Sequence, residues 1–93
     1  MSCYQIKISG LVQGVFLRYS AKQKAEKLGL VGYAKNLENG SVEIVVCPAQ
    51  RDCGDTAIKE FINWCRIGPD LARVDNIKVD EISFREYNNF QVL

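Results

Sequence analysis

The 93-residue chain contains no histidine. That absence removes the commonest general base near neutral pH and excludes any mixed Cys/His zinc site. Four cysteines are present (Cys3, Cys47, Cys53 and Cys65), and none are in CxxC spacing. An all-cysteine metal site would need all four at irregular spacing, so no metal is expected and the four read as free thiols. No apolar run is long enough to cross a membrane. The opening MSCYQIKISG lacks the apolar core of a secretory signal, so the expectation is a cytoplasmic protein with no membrane association. The net charge of +1 gives no global pull toward nucleic acid. Acidic residues are missing before Glu26, whereas Lys7, Arg18, Lys22 and Lys24 fall in that stretch. The N-terminal quarter therefore reads as a local cationic surface.

What is present fits one ordinary globular domain over residues 1–93, with 47% hydrophobic and 25% charged residues. CYQIKIS alternates, with Tyr4, Ile6 and Ile8 to one side, and predicts a half-buried strand. Gly10 to Phe16 reads as a loop. Leu17, Ala21, Ala25 and Leu28 recur at helical spacing, and Gly29 sits where a left-handed cap ends the helix. LVGYAKN is a second strand, and Asn39-Gly40 marks a hairpin. SVEIVVC is a third strand with Val42, Ile44 and Val46 inward, stopped by Pro48. Around residues 54–67 a second helix puts Ile58, Phe61, Ile62 and Cys65 on its core face, with Trp64 one position off it and partly exposed. Gly68-Pro69 ends that helix. ARVDNIKVDEI gives a fourth, somewhat irregular strand, Asp80-Glu81 its exposed end, and FQVL a short fifth. The order is β-α-β-β-α-β plus a tail. It predicts an α+β, ferredoxin-like sandwich: an antiparallel sheet with two helices on one face.

The segment GLVQGVFLRYSAK (residues 10–22) opens the first helix in an unusual way. No Ser, Thr, Asp or Asn stands between Gly10 and Arg18 to cap the free N–H groups. Arg18 adds a cation where the helix dipole is already positive. An anion in the loop makes this arrangement favourable: Gly10 and Gly14 let successive N–H groups turn inward, and Arg18 offers a forked partner. The plainer alternative is a glycine turn from strand to helix with a solvated arginine. The loop is not a Walker A motif, which requires Lys-Ser/Thr after its last glycine. It contains no cysteine or carboxylate nucleophile, so water is the nucleophile if this is an enzyme.

A right-handed crossover makes strands 1 and 2 run in one direction, so their C-terminal ends share a sheet edge. Asn36, at the end of strand 2, then converges with the loop and Arg18. Its amide can both donate to and accept from a water. Alternatively it only begins the turn toward Asn39-Gly40.

These two segments resemble the signatures of the acylphosphatase family: GLVQGVFLR (residues 10–18) and GYAKNLENGSV (32–42). KLGLVG and GPDLARVD also fit, and the resemblance spans essentially the whole chain. Leu17 departs from the family's usual Phe or Met, and Pro48 from its usual Gly after the third strand. The FQVL ending also differs from the usual aromatic-tipped tail. The resemblance implies hydrolysis of the carboxyl–phosphate bond of acyl phosphates, with no metal or organic cofactor. It implies a phosphate-binding loop of Gln13, Gly14, Val15, Phe16, Leu17 and Arg18, with Arg18 on the phosphoryl oxygens and Asn36 holding the attacking water. An acyl phosphate is a mixed anhydride with a good leaving group, so positioning and charge stabilisation can carry most of the chemistry.

Two other readings remain: an anion-binding module without turnover, alone or within a larger carbamoyl-transfer machine, and an RNA-binding ferredoxin-like domain. The latter wants exposed aromatics on the central strands and a basic sheet, and SVEIVVC carries no aromatic residue. The partner expected is a small-molecule acyl phosphate, with no nucleic acid and a monomeric chain. Lys22 and Lys24 read as solvated helix positions. Tyr19 either lines the substrate mouth or packs, and packing is favoured.

Overall fold

In the computed structural model, which describes residues 2–49 and 54–93, strand β1 (Cys3–Leu11) buries Ile6 and Ile8 and exposes Lys7 between them. Helix α1 (Leu17–Lys27) buries Leu17, Ala21 and Ala25, one residue per turn. It ends at Leu28, after which Gly29 takes φ 72°, the left-handed conformation that glycine adopts without strain. Strand β2 (Leu30–Asn36), strand β3 (Val42–Pro48), helix α2 (Gly54–Ile67), strand β4 (Arg73–Ile82) and strand β5 (Phe90–Val92) complete the order. The sheet runs β4-β1-β3-β2-β5.

β1 and β2 each pair antiparallel with β3, Ile6 and Ala34 both opposite Ile44, so they run in the same direction as the crossover requires. Both helices pack on one face of the sheet. Leu17, Ala21, Ala25, Ile58, Phe61 and Cys65 share a core with Ile6, Ile8, Ile44 and Val46. Burial pushes the Cys65 thiol well above its ordinary pKa, which leaves it an unreactive core residue.

Four features depart from the sequence expectations. The sheet is mixed, because β5 pairs parallel with β2, Tyr33 opposite Gln91. All of β3 is buried, including Glu43, Val45 and Cys47 on the side away from the helices. There Cys3, Val45 and Cys47 form a second core with Val31, Tyr33, Ile82 and Tyr87. A strand in the middle of a sheet buries both faces when a return segment covers the second one. Arg85 and Tyr87 lie in that segment, and the Arg85 N–H donates to the Cys3 sulfur at 3.1 Å.

Cys3 and Cys47 are joined in a disulfide, not free, because adjacent strands bring their Cα atoms to 4.4 Å. The expectation of four free thiols therefore fails for this pair. Cys53 lies outside the described residues.

Finally, Gly10 belongs to β1 and not to the loop. It sits where the β1–β4 register shifts, at φ 128°. A Cβ there would lie 2.2 Å from the Arg73 carbonyl oxygen, so Gly10 permits the close approach of β4.

Candidate active site

The loop before α1 runs from Val12 to Phe16. Gly14 takes φ 75°, and a Cβ there would meet nothing within 4 Å, so glycine serves the backbone turn and not the space. Phe16, the N-cap, is left-handed too, at φ 62° and ψ 21°. It is the sole non-glycine residue with positive φ among those described. α1 has no side-chain cap and no acid in its first turn, as its sequence indicated.

The loop, α1, β2 and β5 enclose a cleft of about 250 Å³, lined by Val12, Gly14, Phe16, Leu17, Arg18, Tyr19, Asn36 and Val92. Arg18 and Asn36 therefore meet in one cleft, from the start of α1 and the end of β2. Among the described residues, Arg18 is the only charged side chain in the lining. Its Nη1 donates to the main-chain carbonyl oxygen of Leu93, just beyond β5. One of the five guanidinium N–H groups is thus committed to the protein.

Asn36 pairs with Val42 at the end of the β2–β3 ladder. The turn that follows uses Asn39, whose Oδ1 accepts from the Ser41 N–H at 3.0 Å and from the Ser41 hydroxyl. The exposed Asn36 is therefore not the residue that forms the turn.

Of the six residues predicted for the loop, Gly14, Phe16, Leu17 and Arg18 line the cleft, whereas Gln13 and Val15 do not. Val15 is buried in the core. Gln13 turns away: its Nε2 donates to the carbonyls of Leu37 at 2.8 Å and Ser41 at 2.9 Å. That pair of bonds ties the loop to the turn directly after Asn36. Leu17, the departure from the family pattern, has its bulk in the core at 1% exposure.

Tyr19 was expected to pack and instead stands 58% exposed in the cleft lining. Helix α1 buries positions 17, 21 and 25, so position 19 points away from that stripe. Val92 and Leu93 were not singled out as site residues. The parallel pairing of β5 with β2 carries the end of β5 to the same sheet edge as Asn36, and an isolated FQVL does not reveal that pairing.

The expected cationic surface is not continuous. Lys7 alternates to the sheet face away from the helices, and Lys24 Nζ lies 3.7 Å from a Glu60 carboxylate oxygen on α2.

Sheet order, strand directions and the two helices on one face define the ferredoxin-like α+β class. The acylphosphatase family model matches residues 4–92. An acylphosphatase of Vibrio vulnificus is 46% identical over 91 residues, covering 98% of this chain and 96% of the relative. Among solved structures, an acylphosphatase from Coxiella burnetii superposes with a TM-score of 0.88 at 41% identity, covering 99% of this chain and 92% of that one. One from Bacillus subtilis gives 0.91 at 31% identity, covering 100% and 99%. The chain belongs to the acylphosphatase family, hydrolases that act on acyl phosphates. Among the described residues, no helix is long and apolar enough to cross a membrane.

Proposed function

We infer that the cleft hydrolyses the carboxyl–phosphate bond of acyl phosphates without a metal, using water as nucleophile. The observation that carries this reading is the meeting of Arg18 and Asn36 in one cleft beside the glycine loop. Backbone N–H groups of Gln13–Arg18 cradle the phosphoryl oxygens at the uncapped start of α1, where the helix dipole favours an anion. Arg18 adds charge-assisted hydrogen bonds to the same oxygens. The carbonyl of Leu93 steadies the guanidinium while its other N–H groups face the substrate.

Asn36 holds the attacking water in line with the bond to the leaving carboxylate. As that bond breaks, charge grows on the phosphoryl oxygens and on the departing carboxylate. The loop and Arg18 stabilise the former without moving. The carboxylate is a stable leaving group, so no side chain has to protonate it. The proton that the water loses passes to a phosphoryl oxygen and leaves with the product phosphate, so the reaction needs no side chain titrating near neutrality, which suits a chain with no histidine.

Purified protein is expected to release phosphate from acetyl or benzoyl phosphate in the presence of EDTA. Arg18→Gln and Asn36→Ala are each expected to lose about 2.7–4 kcal/mol of transition-state stabilisation, on the order of a hundredfold or more in kcat. Full activity in either variant would remove that residue from the mechanism. Loss of wild-type activity on adding EDTA would overturn the metal-free reading.

A further inference from the structure

The outer side of the helix pair carries a groove that hydrolysis does not use. It encloses about 310 Å³, more than the cleft and within the roughly 300–1,000 Å³ of typical ligand sites. One wall is a stripe of α1: Ser20, Gln23, Lys24 and Lys27 share a helix face through their spacing of three and four. The other wall is Trp64 of α2 and the Pro69-Asp70 turn that follows it. No residue of the groove lines the cleft.

Two contacts fix which end of the groove is which. Lys24 Nζ lies 3.7 Å from a Glu60 carboxylate oxygen, so the second half of α1 runs beside the middle of α2. A Cβ on Gly68 would stand 3.8 Å from a Leu17 methyl carbon, so the end of α2 lies beside the start of α1. Asp70 therefore closes the Ser20 end and Lys27 the opposite end, with Trp64 between them. From Ser20 to Lys27 the helix rises about 10 Å.

Each part favours a different group of one ligand. Trp64 packs on Phe61, ring centroids 6.0 Å apart, and is only partly buried, so its indole offers surface for a flat ring to cover. Lys24 and Lys27 present ammonium groups one turn apart. Glu60 engages Lys24, and Lys27 forms no ion pair among the described residues. An anion fits at that end. At the other end the Asp70 carboxylate repels an anion and accepts from an N–H donor. Ser20 and Gln23 offer hydrogen bonds to hydroxyl groups along the way. An aromatic amino acid does not match this order, because its carboxylate and ammonium share one end. A nucleoside monophosphate does: phosphate, ribose, flat base, and an amine on the far edge of the base.

We propose that this groove is a binding site for a nucleoside monophosphate whose base carries an exocyclic amine, with the phosphate on Lys24 and Lys27, the base on Trp64 and the amine on Asp70. The site is independent of the hydrolytic reading, and no chemical step takes place in it.

Trp64 is the only tryptophan in the chain, so its fluorescence reads the site directly. AMP is expected to change it saturably, with half-saturation at about 1 mM or below. Lys24→Ala/Lys27→Ala is expected to weaken AMP binding about tenfold. CMP and UMP differ at the base edge, where an amine in one is a carbonyl in the other. Wild type is expected to bind CMP about fivefold more tightly than UMP, and Asp70→Ala to bind the two equally. Arg18→Gln is expected to bind AMP as wild type does. Isothermal titration calorimetry repeats each comparison without relying on the indole.

No saturable response to AMP by either method overturns the site. Wild-type AMP affinity in the double lysine variant overturns it as well, as does equal affinity of wild type for CMP and UMP. Loss of AMP binding in Arg18→Gln would put the nucleotide in the cleft and overturn a separate site. The lysine and Asp70 variants lie outside the cleft and are expected to hydrolyse acetyl phosphate at the wild-type rate. Unchanged urea midpoints will show that they remain folded.

Discussion

The side-chain amide of Gln13 reaches across the edge of the cleft to the carbonyl oxygen of Leu37, 2.8 Å away, and the same nitrogen donates to the Ser41 carbonyl at 2.9 Å. Leu37 directly follows Asn36. Loop and turn are therefore one hydrogen-bonded unit, and on the proposed mechanism the Gln13 side chain serves the site through position and not through contact.

Replacing Gln13 separates that role from folding. Gln13→Leu removes both donors but leaves each carbonyl one backbone partner, the Gly40 N–H on Leu37 and the Leu37 N–H on Ser41, so the loss is about 0.5–1.5 kcal/mol per bond. Gln13→Glu is expected to be worse, because a carboxylate would face two carbonyl oxygens. Both should lower kcat/KM by about tenfold or more, since a shift in the loop misplaces it relative to Asn36. Urea unfolding and steady-state kinetics on the same samples decide the point. Lower stability with unchanged kcat/KM would show that the loop holds its shape without the tie.

The Cys3–Cys47 disulfide joins β1 to β3 across a sequence separation of 44 residues. Restricting an unfolded loop of that length is worth about 2–4 kcal/mol. Dithiothreitol is expected to lower the urea midpoint of wild type and to leave a Cys3→Ala/Cys47→Ala double variant unaffected. Both cysteines lie in the second core, away from the cleft, so activity of the folded reduced protein should persist. Identical midpoints with and without reductant would mean the crosslink adds no stability.

Two glycines give a contrast in magnitude. A Cβ on Gly32 would stand 1.8 Å from the Val45 carbonyl oxygen, and φ there is 142°. Neither β2 nor β3 can yield at the centre of the sheet, so Gly32→Ala is expected to lose more than about 3 kcal/mol or to fail to fold. Gly14→Ala meets no atom within 4 Å and bears only its positive φ of 75°, a cost of about 1–2 kcal/mol. Urea midpoints rank the two, and the reverse order would contradict the packing of β2 against β3.

Tyr33 predicts a pH effect on the sheet face away from the helices. Its hydroxyl donates to Glu43 Oε2 at 2.8 Å. Burial first, then that hydrogen bond and the nearby carboxylate charge, raise the phenol from its ordinary 10.0 to about 12. The folded state therefore favours the protonated form. The stabilisation is complete below about pH 10 and is lost as pH rises from there through about 12. Urea stability measured against pH should fall more steeply across that window in wild type than in Tyr33→Phe. Parallel profiles would assign the alkaline loss to other groups.

Much of this was legible in the sequence because periodicity reports burial. Ile6 and Ile8 in β1, and Leu17, Ala21 and Ala25 in α1, are all core residues. The crossover rule alone placed Arg18 and Asn36 at one sheet edge. What escaped the sequence involved partners distant along the chain. The Cys3–Cys47 pairing depends on β1 and β3 being neighbours, which composition does not encode. The burial of Glu43 and Val45 depends on a cover over the second sheet face, including Tyr87. Gly10 belonged to the strand because of where β4 returns. Leu93 reaches Arg18 only because β5 adds in parallel to β2.

That last relationship couples core packing to the site. Phe90 is 1% exposed and packs against Phe61, with ring centroids 6.4 Å apart. It anchors a strand of only three residues, which has few backbone bonds of its own. Phe90→Ala is expected to lose about 3–5 kcal/mol of stability. It should also lower the activity of molecules that remain folded, because a loosened β5 no longer holds the Leu93 carbonyl on Arg18 or Val92 at the cleft. Ile58→Ala, on α2, is the comparison: it empties a core position outside β5 and should reduce stability while sparing kcat/KM. Both variants would be assayed well below their unfolding midpoints, with the folded fraction measured by circular dichroism. If Phe90→Ala keeps wild-type kcat/KM per folded molecule, the contact between Leu93 and Arg18 is dispensable and the loop alone positions the guanidinium.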